Sequence, residues 1–231
     1  MPKVEQDVLA IVPIASSIHD HRLILTLSGR TVLDWTLTAL HSVPCVASIV
    51  VTPECNVSSE VRAVVRRYAV GHPIHVIESR AGRMAAIGEA LHLMSSCKRV
   101  LIHDPDRPLL SGAQLTSMLA HAAGAPVAIP AVQLKSTFKH VRASRVEATV
   151  PRDRLVRVQS PRIFERRVLE QLVAVAVEQG WEGDELSLVR HAQINVQLLP
   201  GDYFNIPLSD RLDVEFVELA INRHVLPAFS G

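Results

Sequence analysis

The sequence has few cysteines, no long hydrophobic run and almost no excess of charge. Three cysteines occur in 231 residues, an odd number without a CxxC pair, which argues against a disulfide framework and a structural zinc site. No stretch approaches the roughly 18 consecutive apolar residues of a membrane span. Residues 1–7 carry charges and lack the apolar run of a signal peptide. We therefore expect no membrane association and a cytoplasmic location.

Acidic and basic residues nearly balance. There are 24 Lys and Arg against 23 Asp and Glu, which gives a formal net charge of +1. Binding to a nucleic-acid backbone needs a clear basic surplus or stripe, so we expect no nucleic-acid partner. Hydrophobic residues make up 48% and charged residues 20%, as in globular proteins. With no linker or internal repeat, residues 1–231 are predicted to form a single domain.

Apolar runs alternate with helical patterns along the chain, which predicts an α/β fold with a Rossmann-like, doubly wound, mostly parallel sheet. Val8–Ile14 is uninterrupted apolar sequence, as in a strand buried on both faces. Further strands are predicted at 47–51, 74–77, 100–103, 127–132 and 196–199, and helices at 31–40, 57–70, 83–94, 111–122, 163–178, 185–191 and 208–225. Ser111 is a plausible helix N-cap, and Pro130 suggests that its strand ends there or lies at an edge.

Residues 135–161 break this pattern. Charged and β-branched residues alternate there without an apolar face wide enough to join a core. This composition predicts an extended β-arm that protrudes from the domain. Because such arms often pair with another subunit, we expect a homodimer that forms through 135–161.

Several segments carry a family resemblance in their order and spacing. They are 100–109 (VLIHDPDRPL), 136–141 (STFKHV), 149–161 (TVPRDRLVRVQSP) and 183–206 (GDELSLVRHAQINVQLLPGDYFNI). Together they resemble the 2-C-methyl-D-erythritol 4-phosphate cytidylyltransferase family of the non-mevalonate isoprenoid pathway. The resemblance implies a nucleotidyltransferase (GT-A-like) fold. It also implies a reaction in which a methylerythritol phosphate oxygen attacks the α-phosphorus of CTP and pyrophosphate leaves, usually with Mg²⁺.

The resemblance also implies roles for individual residues. The candidates are, for catalysis, Arg22, Asp104 and Arg152, and, for substrate binding, Arg83, Arg107, Thr137, Lys139, Ser160 and Asp184. Asp104 follows a predicted strand, where open α/β sheets place ligand groups, and matches the family's nucleotide and Mg²⁺ aspartate. Arg83 belongs to the cytosine-recognition segment, and Arg107 resembles an arginine that holds the acceptor's phosphate. The candidates in the arm are Thr137, Lys139 and Arg152, and they would reach this sugar phosphate partly across the dimer interface.

The sequence departs from the family pattern on the nucleotide side. The loop after the first strand has no glycine between Pro13 and Gly29, although a phosphate cradle needs close backbone approach. Arg22 stands where the first catalytic lysine belongs, and a planar guanidinium is not equivalent to an ammonium. Pro207 replaces the second lysine, and Ala86 replaces a serine of the cytosine segment.

Three hypotheses remain open at this point. The first is a divergent enzyme of this family with a degraded nucleotide loop and one lost lysine, which still transfers a nucleotide, either from CTP or with a different base or acceptor. The second is a catalytically inactive relative that binds a sugar phosphate or a protein partner. The third is a structural dimer without a small-molecule ligand.

Overall fold

The computed structural model describes residues 5–14, 23–53, 58–68, 71–79, 82–181 and 183–223. Within these ranges eight strands form one mixed sheet. They are β1 (Val8–Ile14), β4 (Val46–Pro53), β5 (Ile74–Val76), β6 (Arg99–Ile102), β7 (Val127–Gln133), β10 (Val156–Val158), β11 (Arg162–Glu165) and β12 (Val196–Pro200). Short strands β2 (Thr26–Leu27) and β3 (Arg30–Thr31) pair separately, as do β8 (Phe138–Arg142) and β9 (Arg145–Val150).

The sheet follows the order β10-β7-β11-β6-β1-β4-β5, and β12 pairs with β7. The pairs β1–β4, β1–β6, β4–β5 and β7–β12 are parallel, whereas β10 and β11 run antiparallel to their neighbours. This arrangement confirms the predicted α/β class with a mostly parallel sheet.

Helices cover both faces of the sheet. They are α1 (Val32–His41), α2 (Ser58–Val65), α3 (Arg83–Leu93), α4 (Gly112–His121), α5 (Arg166–Gln179), α6 (Glu185–His191) and α7 (Arg211–Asn222). The side chains of β1 show the division: Val8, Ala10 and Val12 pack on the face covered by α1, α4 and α7. Leu9 and Ile11 pack on the face covered by α3, α5 and α6. Both faces of β1 are buried, as its continuous apolar run predicts.

The predicted helix at 163–178 is wrong at its beginning. Arg162–Glu165 is strand β11, paired antiparallel with β6, and α5 begins at Arg166. Ile163 packs on one face of the sheet and Phe164 on the other. A strand position between two neighbours therefore overrides the apolar helical spacing that continues into α5.

The expectation that Pro130 ends a strand or marks an edge is also wrong. β7 continues to Gln133 and has β12 on one side and β10 and β11 on the other. The Pro130 carbonyl accepts a hydrogen bond from the Gln159 amide at 2.8 Å. β10 and β11 pair with different parts of β7, and Pro130 lies between these two parts. A missing backbone N–H disturbs the hydrogen bonds of the sheet least at this position.

The predicted N-cap of α4 is confirmed. Ser111 has extended backbone, its hydroxyl accepts from the Gln114 amide, and the Gln114 side chain accepts in return from the Ser111 amide. This reciprocal pair is a capping box, so the start of the helix is fixed locally.

The predicted arm at 135–161 has two parts in the structure. Strands β8 and β9 form an antiparallel hairpin in which residues 138–149 are exposed. Residues 156–158 instead form β10 and join the main sheet through β7. The protruding element is therefore the hairpin, and the far end of the segment belongs to the domain itself.

Among the described helices, none is long and apolar enough to cross a membrane.

Candidate functional site

Two predicted site residues meet directly at the carboxyl edge of the sheet. Asp104 lies two residues beyond the end of β6, and Arg83 is the first residue of α3. A guanidinium Nη of Arg83 donates to Oδ1 of Asp104 at 2.8 Å. Both side chains are 27% exposed, so this ion pair lies at the edge of the buried interior and remains accessible to a ligand.

A buried carboxylate, Glu185, holds Arg83 from the opposite side. Nε of Arg83 donates to Glu185 Oε1 at 2.6 Å, and the Glu185 side chain is 0% exposed. Glu185 also accepts from Arg162, whose other Nη pairs with Asp184 at 3.2 Å. Two arginines and three carboxylates thus form one connected network, which fixes the direction of the Arg83 fork.

The network keeps its central pair ionised. Burial raises the pKa of the Asp104 carboxyl, but the charges of Arg83 and Arg162 outweigh burial and leave this pKa below its ordinary value. Burial disfavours the charged form of Arg83, but the carboxylates of Glu185 and Asp104 more than offset it, so the pKa of Arg83 is raised. The site therefore presents a carboxylate and a guanidinium at neutral pH.

Ser160 supports the loop that carries Asp104. Its hydroxyl accepts from the Asp104 amide at 2.8 Å and lies 3.1 Å from Nδ1 of His103, a fully buried imidazole. Asn205 donates to the Ser160 carbonyl at 2.7 Å. The predicted substrate-binding Ser160 thus contacts the backbone of the candidate catalytic residue.

A small cleft adjoins Arg83 at the ends of β1 and β4. Pro13, Thr52, Ser79 and Ala86 line it together with Arg83. Ala86 is the position where the resemblance implies a serine, so a hydroxyl is missing from the wall of this cleft. The preceding residue, Ala85, does not line this cleft and instead faces a different groove, beside Trp181 and Gly183.

Arg107 follows Asp104 in the same loop. One Nη donates to the Asn205 carbonyl at 2.7 Å, which ties this loop to the segment that precedes α7. Its buried Nε has no hydrogen-bond partner among the described residues. Pro207, at the position of the second family lysine, lies two residues beyond Asn205.

The arm candidates lie in and beside the hairpin. Lys139 donates to the Thr149 hydroxyl across the two strands at 2.7 Å, and Arg152 donates to the Lys135 carbonyl at 2.7 Å. Thr137 is exposed at the start of the hairpin. Their contacts lie within the arm, and the structure does not bring them to Asp104. Arg22, the remaining catalytic candidate, falls at 15–22, outside the described residues.

Asp104 is the predicted ligand of Mg²⁺. Within the parts of the chain that the structure describes, no group of three or more His, Cys, Asp or Glu side chains could hold a metal ion. Mg²⁺ in phosphoryl-transfer sites is commonly held by one or two carboxylates together with substrate phosphates. The ionised, partly exposed Asp104 fits that pattern.

Sequence reasoning missed three members of the site: Glu185, Arg162 and His103. Glu185 stands beside the predicted Asp184, yet nothing in its local sequence shows that it is fully buried. Charged residues are almost never fully buried unless they are paired, and the pairing partners lie 23 and 102 residues away.

Comparison with known proteins gives a consistent result. The family model described as 2-C-methyl-D-erythritol 4-phosphate cytidylyltransferase matches residues 12–223. A relative of that name from Acidobacterium capsulatum is 30% identical over 204 residues, 85% of each chain. One from Solibacter usitatus is 29% identical and covers 84% of this chain and 82% of its own. The crystal structure of 4-diphosphocytidyl-2C-methyl-D-erythritol synthase from Anaerococcus prevotii superposes with a TM-score of 0.81 at 21% identity, covering 94% of this chain and 96% of that chain.

Proposed function

Because the chain belongs to the 2-C-methyl-D-erythritol 4-phosphate cytidylyltransferase family, we propose that it transfers a cytidylyl group from CTP to a sugar-alcohol phosphate. The observation that carries this proposal is the pair formed by Asp104 and Arg83 at the carboxyl edge of the sheet. In open α/β sheets, ligands bind in the crevice outside the carboxyl ends of the strands. The α-phosphate of the nucleotide would lie beside this pair.

The reaction requires the protein to position the two substrates and to stabilise negative charge. A phosphate oxygen of the acceptor attacks the α-phosphorus, and the bond to pyrophosphate breaks as the new one forms. Side chains contribute chiefly by holding the two substrates in line and by stabilising negative charge. In this chain Arg83, held in place by Glu185 and Asp104, would position the nucleotide, and Asp104 would hold Mg²⁺. The ion, when bound, would neutralise charge on the triphosphate.

We propose further that turnover is slower than a complete family site would give. Pro207 brings no cation, Ala86 brings no hydroxyl to the cleft beside Arg83, and the sequence at 15–22 contains no glycine. Loss of one preorganised donor commonly costs about 3–4 kcal/mol in the barrier. Several such losses should lower kcat by several orders of magnitude.

The direct test combines purified protein with 2-C-methyl-D-erythritol 4-phosphate, Mg²⁺ and, in separate reactions, CTP, ATP and GTP. Pyrophosphate release and the mass of the product are measured. We expect a cytidylylated product with CTP, loss of activity in Asp104→Asn and full activity in Glu178→Gln, an exposed position on α5. Absence of pyrophosphate with every nucleotide would refute the proposal.

The alternative is a catalytically inactive relative that binds a sugar phosphate or a protein partner. It is favoured by Pro207 and Ala86, which remove groups from the nucleotide side, while Arg107 remains on the acceptor side. Under this alternative, calorimetry would detect the sugar phosphate but no CTP, and all reactions above would be silent.

We also propose that the hairpin formed by β8 and β9 is a homodimer interface. Three apolar side chains on this hairpin are exposed: Phe138 by 40%, Val141 by 55% and Val146 by 64%. Replacing 138–150 by a short glycine-rich turn should yield a folded monomer by light scattering. A dimer that persists after this replacement would refute the assignment.

The free thiols Cys45 and Cys97 agree with a cytoplasmic location.

A further inference from the structure

Arg157 on β10 points toward the loop that precedes α7. It pairs with Val132 in the sheet and lies two residues before Gln159, so the two side chains share a face. Nε2 of Gln159 donates to the carbonyl oxygens of Asp202 and Asn205, at 2.6 and 3.0 Å. The guanidinium of Arg157 therefore stands on the side of the sheet where this loop packs.

Arg157 lines a surface cleft at the base of the arm, together with Lys135 and Tyr203. The Lys135 ammonium lies 3.8 Å from the centre of the Tyr203 ring, and the Tyr203 hydroxyl donates to the Gln133 carbonyl at 2.9 Å. The cleft thus has a fixed aromatic wall and two cations. Within the described chain, the Arg157 guanidinium makes neither a hydrogen bond nor an ion pair.

A further cation, Arg107, reaches the same loop and is already connected by the resemblance with the acceptor's phosphate. Its Nη donates to the Asn205 carbonyl oxygen, which also accepts from Gln159, two residues after Arg157. Burial lowers the pKa of Arg107 and the positive charge of Arg157 lowers it further, while the carboxylates of Asp106 and Asp104 oppose this shift without cancelling it. The Arg107 Nε is buried without a partner among the described residues. A buried donor without a partner and two like charges on one loop both cost free energy, and a bound anion would offset this cost.

We propose that Arg157 is a substrate-binding residue that grips the acceptor's phosphate together with Arg107. A phosphate monoester accepts several charge-assisted hydrogen bonds at once and would satisfy both guanidiniums. Arg157 would thereby provide from the sheet a second cation on the acceptor side. This assignment rests on the proposed function, because it takes the sugar-alcohol phosphate as the ligand.

Calorimetry without nucleotide tests the assignment independently of turnover. Binding of 2-C-methyl-D-erythritol 4-phosphate is measured for the wild type, Arg157→Ala, Arg157→Lys and the control Arg167→Ala, an exposed arginine on α5. We expect the Kd to rise by about tenfold in Arg157→Ala, as the loss of one charge-assisted bond predicts. Arg157→Lys should recover part of the affinity, and Arg167→Ala should match the wild type. An unchanged Kd in Arg157→Ala, or no binding to the wild type, would overturn the assignment.

Further measurements separate a phosphate contact from other contacts, and this assignment from the proposed function. Unphosphorylated 2-C-methyl-D-erythritol should bind weakly and equally to the wild type and Arg157→Ala, whereas equal losses for both ligands would contradict a phosphate contact. Inorganic phosphate that binds as tightly as the acceptor, with the same dependence on Arg157, would overturn assignment to the acceptor. In an active enzyme, Arg157→Ala should raise the KM for the acceptor and leave the KM for CTP unchanged. Absence of turnover with Arg157-dependent acceptor binding would refute the proposed function and leave this assignment standing.

Discussion

Replacing Glu185 with glutamine keeps the shape of a buried side chain and removes its charge. In the wild type the Glu185 carboxylate is 0% exposed and accepts from both Arg83 and Arg162, which are 27% and 15% exposed. The glutamine oxygen can accept from one arginine, but its NH₂ group must then face the other. We therefore expect Glu185→Gln to destabilise the fold through an uncompensated buried charge.

The structure sets the size of this effect. Breaking a buried ion pair by removing one partner typically costs about 3–5 kcal/mol. Here each arginine keeps a second carboxylate, because Arg83 still contacts Asp104 and Arg162 still contacts Asp184. The expected loss is therefore at the lower end, about 3 kcal/mol in the free energy of unfolding. For a domain of this size that corresponds to a Tm lower by about 6–12 °C.

Urea denaturation and thermal melting at neutral pH measure both quantities. Glu215→Gln is the matched control, because Glu215 pairs with Arg211 on the surface of α7, with side chains 57% and 90% exposed. The control should change the free energy of unfolding by less than about 0.5 kcal/mol. If Glu185→Gln loses no more than the control, the network does not hold the charges that the structure assigns to it.

Three other changes probe the site and the packing behind it. Burial lowers the pKa of His103 to about 4, so this imidazole stays neutral in the folded state while the unfolded chain takes up a proton near the ordinary histidine pKa of 6.5. Its contribution is present above pH 6.5 and is lost as the pH falls toward 4. The loss amounts to roughly 3 kcal/mol, and urea titrations should show this slope in the wild type and not in His103→Gln. Gly112→Ala should cost about 2 kcal/mol, because the new Cβ would overlap the Ser42 side chain, whereas exposed Ala113→Ser should melt like the wild type. Ala86→Ser should lower the KM for CTP by about two- to tenfold through one added hydrogen bond, and an unchanged KM would contradict a nucleotide position in the cleft beside Arg83.

Local patterns in the sequence are sufficient for much of the fold. The apolar run at Val8–Ile14 predicts β1 with its observed bounds, because a strand buried on both faces has no polar position. Ser111 and Gln114 specify the start of α4 through contacts three residues apart. Asp104 is predicted at the carboxyl edge because it follows the strand β6. In each case the deciding interactions lie within a few residues of one another.

The partners of the charged side chains depend on tertiary structure. Nothing near Arg83 in the sequence indicates that it meets Asp104 and Glu185, because those contacts close chain separations of 21 and 102 residues. In the sequence, Arg157 is one of several charged residues of the predicted arm. In the structure β10 pairs with β7, and this pairing places Arg157 beside the loop that precedes α7. The sequence by itself determined most of the strands and helices, since periodicity and capping act locally, whereas β11 is a strand because it lies between β6 and β7. Only the folded chain decided which charges are buried, paired or left for a ligand, because burial and Coulomb attraction depend on distances that sequence spacing does not set.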